Sequence, residues 1–317
     1  MTRRAIVTGG AGFIGSTLVD RLLADGNEVL AVDNLSTGRL VNIGEASRHR
    51  LFTFLQADIT QEETVEAMAN FHPEVVFHLA AQADVRVSVA DPVFDATVNV
   101  IGSLRVIEAA VRGGAQRIVA AASGGTLYGE VDPRHLPIPE TAPWNPLAPY
   151  GISKKVMIDY LRSAQAIHGI ETTSLALGNV FGPRQDPHGE AGVIAIFFQH
   201  YEAQSTPTVF GTGDQTRDFI YVDDVVAAFV AASERPGSGA LLNVGTGIET
   251  SVNDLVGFMN HITERDIAPT RAPARAGELD RSVLDISAAS RELQWQPRVG
   301  IEEGLRRTWQ WFAAANG

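Results

Sequence analysis

The chain has 317 residues, 45 % of them apolar and 20 % charged, which excludes a disordered or fibrous polymer and suits one bilobal domain or two domains. Lys and Arg total 25 against 37 Asp and Glu, a net charge of −12, so a general grip on nucleic acid, which rests on phosphate neutralisation, is not expected. The absence of cysteine removes disulfides, thiolate nucleophiles and cysteine metal sites.

After Met1-Thr2-Arg3-Arg4 the chain turns glycine-rich too soon for a secretory segment, and no apolar run approaches the roughly 20 residues that span a bilayer. A cytoplasmic protein with no membrane association is expected. Ala5–Thr8 reads as a strand, and Phe13–Ala24, with apolar Phe13, Ile14, Leu18, Leu22 and Leu23, as a helix. Strands follow at Glu28–Asp33, Leu51–Leu55, Val75–Leu79, Ile118–Ala122 and Glu171–Leu177, with helices around Ile101–Val111 and from Tyr150 to about His168. Short strands alternating with helices predict βαβ units and a Rossmann-type doubly wound parallel α/β sheet. The less regular second half predicts a smaller mixed α/β lobe. The expected division gives residues 1–178, with returns near 215–247, to a dinucleotide-binding domain, and 179–214 and 248–317 to the second lobe.

Gly9-Gly10-Ala11-Gly12-Phe13-Ile14-Gly15 joins the first strand to the first helix. Gly9 supplies a tight turn, Gly12 lets a pyrophosphate approach the backbone, and Gly15 lets helix and strand pack closely. The free N–H groups and dipole of the helix N-terminus favour an anion. Asp33 ends the second strand where a ribose diol should lie; its carboxylate would accept from both hydroxyls and repel a 2′-phosphate, which favours NAD over NADP.

Tyr150 and Lys154 stand four residues apart on a predicted helix and so share one face. A cation beside a phenol lowers its pKa, making Tyr150 a candidate base near neutrality. The eight histidines, His188 among them, show no ligand spacing, so no metal is expected.

The G-x-x-G-x-x-G turn and the Tyr150-x-x-x-Lys154 motif together resemble the extended short-chain dehydrogenase/reductase superfamily, and within it the NAD-dependent epimerase/dehydratase family. The likeness continues through Asp33–Gly38, Asp58-Ile59, His78–Gln82, Leu127-Tyr128-Gly129, Asn179–Arg184, Arg217–Val225 and Asn243–Gly247. It is strongest to bacterial UDP-glucose 4-epimerases. It implies tightly held NAD, a UDP-sugar substrate, and a homodimer paired through a four-helix bundle built from the helices near 101–111 and 151–168. The implied reaction interconverts UDP-glucose and UDP-galactose through a transient 4-keto sugar. The resemblance extends the cofactor set to Phe13, Ile14, Asn34, Ser36, Thr37, Gly38, Asp58, Ile59, Leu79, Ala80, Ala81, Gln82 and Asn99, beside Gly9, Gly12, Gly15, Asp33, Tyr150 and Lys154. It implies Asn179, Val193, Thr208, Phe210, Arg217, Arg275 and Glu278 as UDP contacts, and a size gate at Ser282. That small gate extends the expected substrates to the N-acetylated pair.

The family's usual hydroxyl position falls on Gly124; Thr126 is the first candidate to replace it and Ser123 the second. Related dehydratases and decarboxylases carry a carboxylate in this stretch, where Gly125-Thr126 stand here, which argues against elimination. A net dehydrogenase or reductase, or a non-catalytic NAD sensor, remain the alternative readings.

Overall fold

The structure is a computed structural model that describes residues 3–187, 192–235, 239–274 and 279–315; Arg275, Glu278 and His188 lie outside them. In chain order come β1 (Arg4–Thr8), α1 (Phe13–Ala24), β2 (Glu28–Asp33), β3 (Phe52–Gln56), α2 (Glu62–Asn70), β4 (Val75–His78), α3 (Val85–Ala90) and α4 (Pro92–Ala96). A π-helical turn, Thr97–Ile101, leads into α5 (Gly102–Gly113). Next are β5 (Arg117–Ser123), the single turn α6 (Gly124–Leu127), α7 (Pro149–His168), β6 (Glu171–Leu177) and β7 (Asn179–Phe181). The remainder is α8 (Val193–Glu202), β8 (Thr208–Phe210), β9 (Thr216–Tyr221), α9 (Val222–Glu234), β10 (Ala240–Val244), β11 (Glu249–Ser251), α10 (Val252–Thr263), β12 (Thr270–Ala272), β13 (Arg281–Ser282), α11 (Ser287–Leu293) and α12 (Ile301–Ala315).

Seven strands form one parallel sheet in the order β10-β6-β5-β4-β1-β2-β3. Parallel strands are covered on both faces, which is why β1 and β4 read as nearly continuous apolar runs. Helices α1, α9 and α11 bury Leu18, Leu22, Phe229 and Leu293 on one face. Helices α2, α5 and α7 bury Met68, Val106, Met157 and Leu161 on the other. A smaller core joins Phe197 and Phe198 of α8, Leu255 and Met259 of α10, and Leu305 and Phe312 of α12. Beside it, β9 pairs with β7, β11 and β13, while β8 pairs with β12. Ser251 and Asp254 close α10 with a reciprocal capping box. The order of the large sheet reverses between β1 and β4, and a doubly wound sheet holds its ligand at the carboxyl ends of the strands flanking such a reversal. Among the described residues no helix is long and apolar enough to cross a membrane.

Candidate active site

At the reversal, β1 runs into Gly9, whose φ of +70° and whose N–H donating to Val32 O (2.8 Å) set the turn. A side chain at Gly9 would place Cβ 2.8 Å from Ala80 N, and one at Gly15 would place it 2.0 Å from Gly9 O. Gly10, which the sequence reading passed over, would bring Cβ within 2.7 Å of Ala31 Cβ on β2, so it is a packing residue. Helix α1 starts behind Gly12 with no side-chain cap and no acid in its first turn. Its leading N–H groups are therefore the kind of donor array a pyrophosphate takes. Phe13 and Ile14 pack toward the smaller core.

Asp33 is buried at the end of β2, where Oδ2 accepts from Ala11 N–H (3.0 Å) and Oδ1 from Leu35 N–H (2.8 Å). Gly38 lies against it, since a Cβ there would sit 2.6 Å from Asp33 Oδ1. Asn34, Ser36 and Thr37 form an exposed rim, with Asn34 donating to Asp58 Oδ2 (2.8 Å). Partial burial pushes the Asp58 carboxyl up, but donors on Thr60 and Asn34 outweigh it and hold the pKa below the usual value. Ile59 is a core residue beneath Gly102 of α5.

Across the reversal, Leu79 and Ala80 donate their N–H groups to Thr8 Oγ1 (3.2 Å each). Thr8 Oγ1 meets His78 Nδ1 at 2.8 Å, and His78 Nε2 meets Ser103 Oγ at 2.9 Å. Burial, and secondarily the Lys154 charge, push the His78 pKa down to about 3, so the ring is neutral. Asn99 is buried, donating through Nδ2 to Gln82 O (2.7 Å) and Asp95 Oδ1 (2.9 Å) and accepting at Oδ1 from Gln82 N–H (2.9 Å). Its amide fastens the Ala81-Gln82 loop.

Tyr150 and Lys154 enter from the first turns of α7, where Pro149 takes an N-terminal position. Lys154 Nζ donates to Ala121 O of β5 (3.0 Å) and lies 5.8 Å from the centre of the Tyr150 ring. Both side chains are at least nine-tenths buried. Ser123, half-buried, ends β5 beside Leu177 of β6. Thr126 Oγ1 is buried with no hydrogen-bond partner among the described residues. Gly124 has its own reason: a Cβ would sit 2.7 Å from Leu284 Cδ1 and 3.1 Å from Leu177 O.

Asn179 opens β7, and Val193 opens α8 behind Gly192 without a side-chain cap. Arg217 on β9 stands in register with Ser282 on β13, which is buried. The next residue on β9, Asp218, accepts from Thr246 N–H (2.6 Å), Gly247 N–H (3.1 Å) and Leu284 N–H (3.2 Å). Burial raises its pKa against those donors. Thr208 and Phe210 belong to the separate β8–β12 pair, tied back where Gln215 Nε2 donates to Phe210 O (3.1 Å). The described residues contain no group of three His, Asp or Glu able to hold a metal.

Residues 5–245 match the NAD dependent epimerase/dehydratase family. The UDP-glucose 4-epimerase of Mycolicibacterium smegmatis is 47 % identical over 309 residues, 98 % of each chain. The UDP-glucose 4-epimerase of Thermotoga maritima, solved with UDP-glucose, superposes with a TM-score of 0.94 at 41 % identity, over 99 % of this chain and 100 % of that one. The Thermus thermophilus enzyme of the same name, solved with NAD, gives 0.90 at 40 % identity, over 98 % and 99 %.

Proposed function

The chain belongs to the NAD dependent epimerase/dehydratase family, and from that premise we propose that it is an NAD-dependent UDP-hexose 4-epimerase interconverting UDP-glucose and UDP-galactose. The observation that carries the reading is the buried Tyr150–Lys154 pair, fixed on β5 of the same parallel sheet whose β1 carries the glycine turn. NAD fits the uncapped start of α1 and the acid at the end of β2, and when bound supplies the acceptor and donor of hydride at the sugar C4. Tyr150 takes the proton from the 4-hydroxyl and returns it after the ring has presented its other face. Lys154, fixed on Ala121 O, favours the phenolate. Burial of Thr126 Oγ1 supports Ser123 as the hydroxyl that bonds the 4-oxygen. Gly124, Gly125 and Thr126 put no carboxylate on this turn, in keeping with epimerisation rather than elimination.

The UDP moiety would lie against the second lobe, with Asn179, Val193, Thr208, Phe210 and Arg217 around it, Arg275 and Glu278 assigned from sequence, and Ser282 beside the sugar. The lobes are those drawn from the sequence: 1–178 with the later returns for the dinucleotide, 179–214 and 248–317 for the UDP-sugar. Exposed Val89, Val93, Phe94 and Ile101, with Ile152 and Tyr160 on α7, support a homodimer joined by a bundle of α5 and α7. Sedimentation at micromolar concentration as a monomer would remove that part. The cytoplasmic location expected from the sequence is compatible with the cysteine-free composition.

The test is incubation with UDP-galactose, UDP-glucose and their N-acetyl counterparts, resolving the product sugars and extracting the bound cofactor. The 4-epimeric products are expected with no net change in the cofactor. No interconversion, or cofactor reduced in step with sugar consumed, refutes the proposal.

A further inference from the structure

Asp95 is fully buried on α4, and all the hydrogen bonds seen at its carboxylate come from neutral donors. Ser153 Oγ donates to Oδ2 at 2.6 Å, while Asn99 Nδ2 (2.9 Å) and Gln82 Nε2 (3.1 Å) donate to Oδ1. Those donors come from three places. Ser153 lies on α7 between Tyr150 and Lys154, Gln82 on the loop after β4, and Asn99 in the π-helical turn. That turn is the kind of irregularity retained at functional sites. Here it keeps Asp95 and Asn99 on one side, and Ser103 Oγ donates back to Asn99 O at 2.6 Å. Through Ser103, His78 and Thr8 the same network reaches Leu79 and Ala80, against the glycine turn. Helix α7 is preceded by Ala148, which offers no side-chain cap, so its leading turns lack the usual polar anchor.

We infer that Asp95 and Ser153 are positioning residues that set the height of Tyr150 and Lys154 against the loop on which the cofactor rests. This rests on the epimerase reading of the same site. The Asp95 carboxylate accepts on both oxygens; an amide there could keep its oxygen toward Asn99 and Gln82 and donate its N–H to the Ser153 hydroxyl, which can turn to accept. A hydroxyl at 153 serves only through Asp95, and its removal frees the first turns of α7 without unmaking the fold.

The test compares wild type, Ser153→Ala, Ser153→Thr and Asp95→Asn as purified with their cofactor. For Ser153→Ala we expect kcat for UDP-galactose to fall at least about tenfold, since small misplacements of a reacting group are costly in rate. KM should stay within about twofold, with the NAD content per chain unchanged. Amide hydrogen exchange of the peptide spanning 149–158 should quicken, while peptides of β1 and β4 stay as in wild type. Ser153→Thr, which restores the hydroxyl, should recover most of the rate, and Asp95→Asn, whose amide can still hold the Ser153 hydroxyl, should keep more of it than Ser153→Ala does. A Ser153→Ala protein with kcat within about twofold of wild type, or with KM and NAD content lost in proportion to rate, or with unchanged exchange across 149–158, overturns the inference. If wild type fails to interconvert the sugars, it is the epimerase reading that falls, and the exchange comparison still decides the tether.

Discussion

Restoring a hydroxyl at position 124 tests why this chain carries glycine there. In Gly124→Ser the new Cβ would lie 2.7 Å and 3.0 Å from the two Leu284 methyls and 3.1 Å from Leu177 O. Leu284 is 1 % exposed and cannot swing into solvent. Leu177 O belongs to a strand held in register with Ser123. Overpacking of this kind costs about 1–3 kcal/mol, and the fixed carbonyl puts this site toward the upper end, about 2–3 kcal/mol. In a chain of this size that lowers Tm by about 3–5 °C. Leu284→Ala alone should cost about 2–5 kcal/mol through the cavity it leaves. The double variant should be more stable than the sum of the two by about 1–2 kcal/mol, because the serine grows into that cavity. Thermal melts of the four proteins at fixed cofactor concentration read this directly. Additivity within about 0.5 kcal/mol would show that Leu284 is not what excludes a side chain at 124.

Tyr150→Phe should fall in kcat by about 10²–10⁴-fold while its melting curve stays near wild type; unchanged turnover would remove the tyrosine from proton transfer. His78 has its folded pKa held below the unfolded value, so the unfolded chain binds the extra proton and stability is lost as pH falls from 6.5 toward about 3. Between pH 7 and pH 5 this amounts to about 2 kcal/mol, read by denaturant unfolding, and His78→Gln should remove that part of the slope. Wild type should turn over both the plain and the N-acetylated sugar pairs, and Ser282→Tyr, which fills a buried position beside Arg217, should lose only the acetylated pair. Equal retention of both pairs in that variant would take the gate away from Ser282.

What the sequence disclosed was what is local in the chain. The glycine turn, the acid at the end of β2 and the Tyr150–Lys154 spacing each lie within one strand, turn or helix, where period and steric need are written in neighbouring residues. Strands β1 to β6 fell close to their expected positions because two-sided burial makes them short apolar runs. Gly10 escaped because its reason is Ala31 on the next strand. Gly124 reads from sequence only as a missing hydroxyl, because its reason, Leu284, arrives from the far end of the chain. Asp95 carried no signal in a surface-like stretch, Asp91-Pro92-Val93-Phe94-Asp95, and only the packing of α4 on α7 turns it inward. Thr126, two residues after Gly124, would share its side in an extended strand, but the backbone after Ser123 turns helical and the alternation of side chains ends there.

The last strand of the large sheet, β10, pairs with β6, yet β7, α8, β8, β9 and α9 all lie between them in the chain. During synthesis β6 is therefore made as an open edge and must wait for β10. Its inner residues Thr172 to Leu177 are buried in the finished protein, so until then a row of unpaired N–H and C=O groups stands ready to recruit any other strand. The stretch from β7 to α9 must be made before the large sheet can close. The vulnerable moment in the life of this protein therefore falls between the emergence of β6 and that of β10.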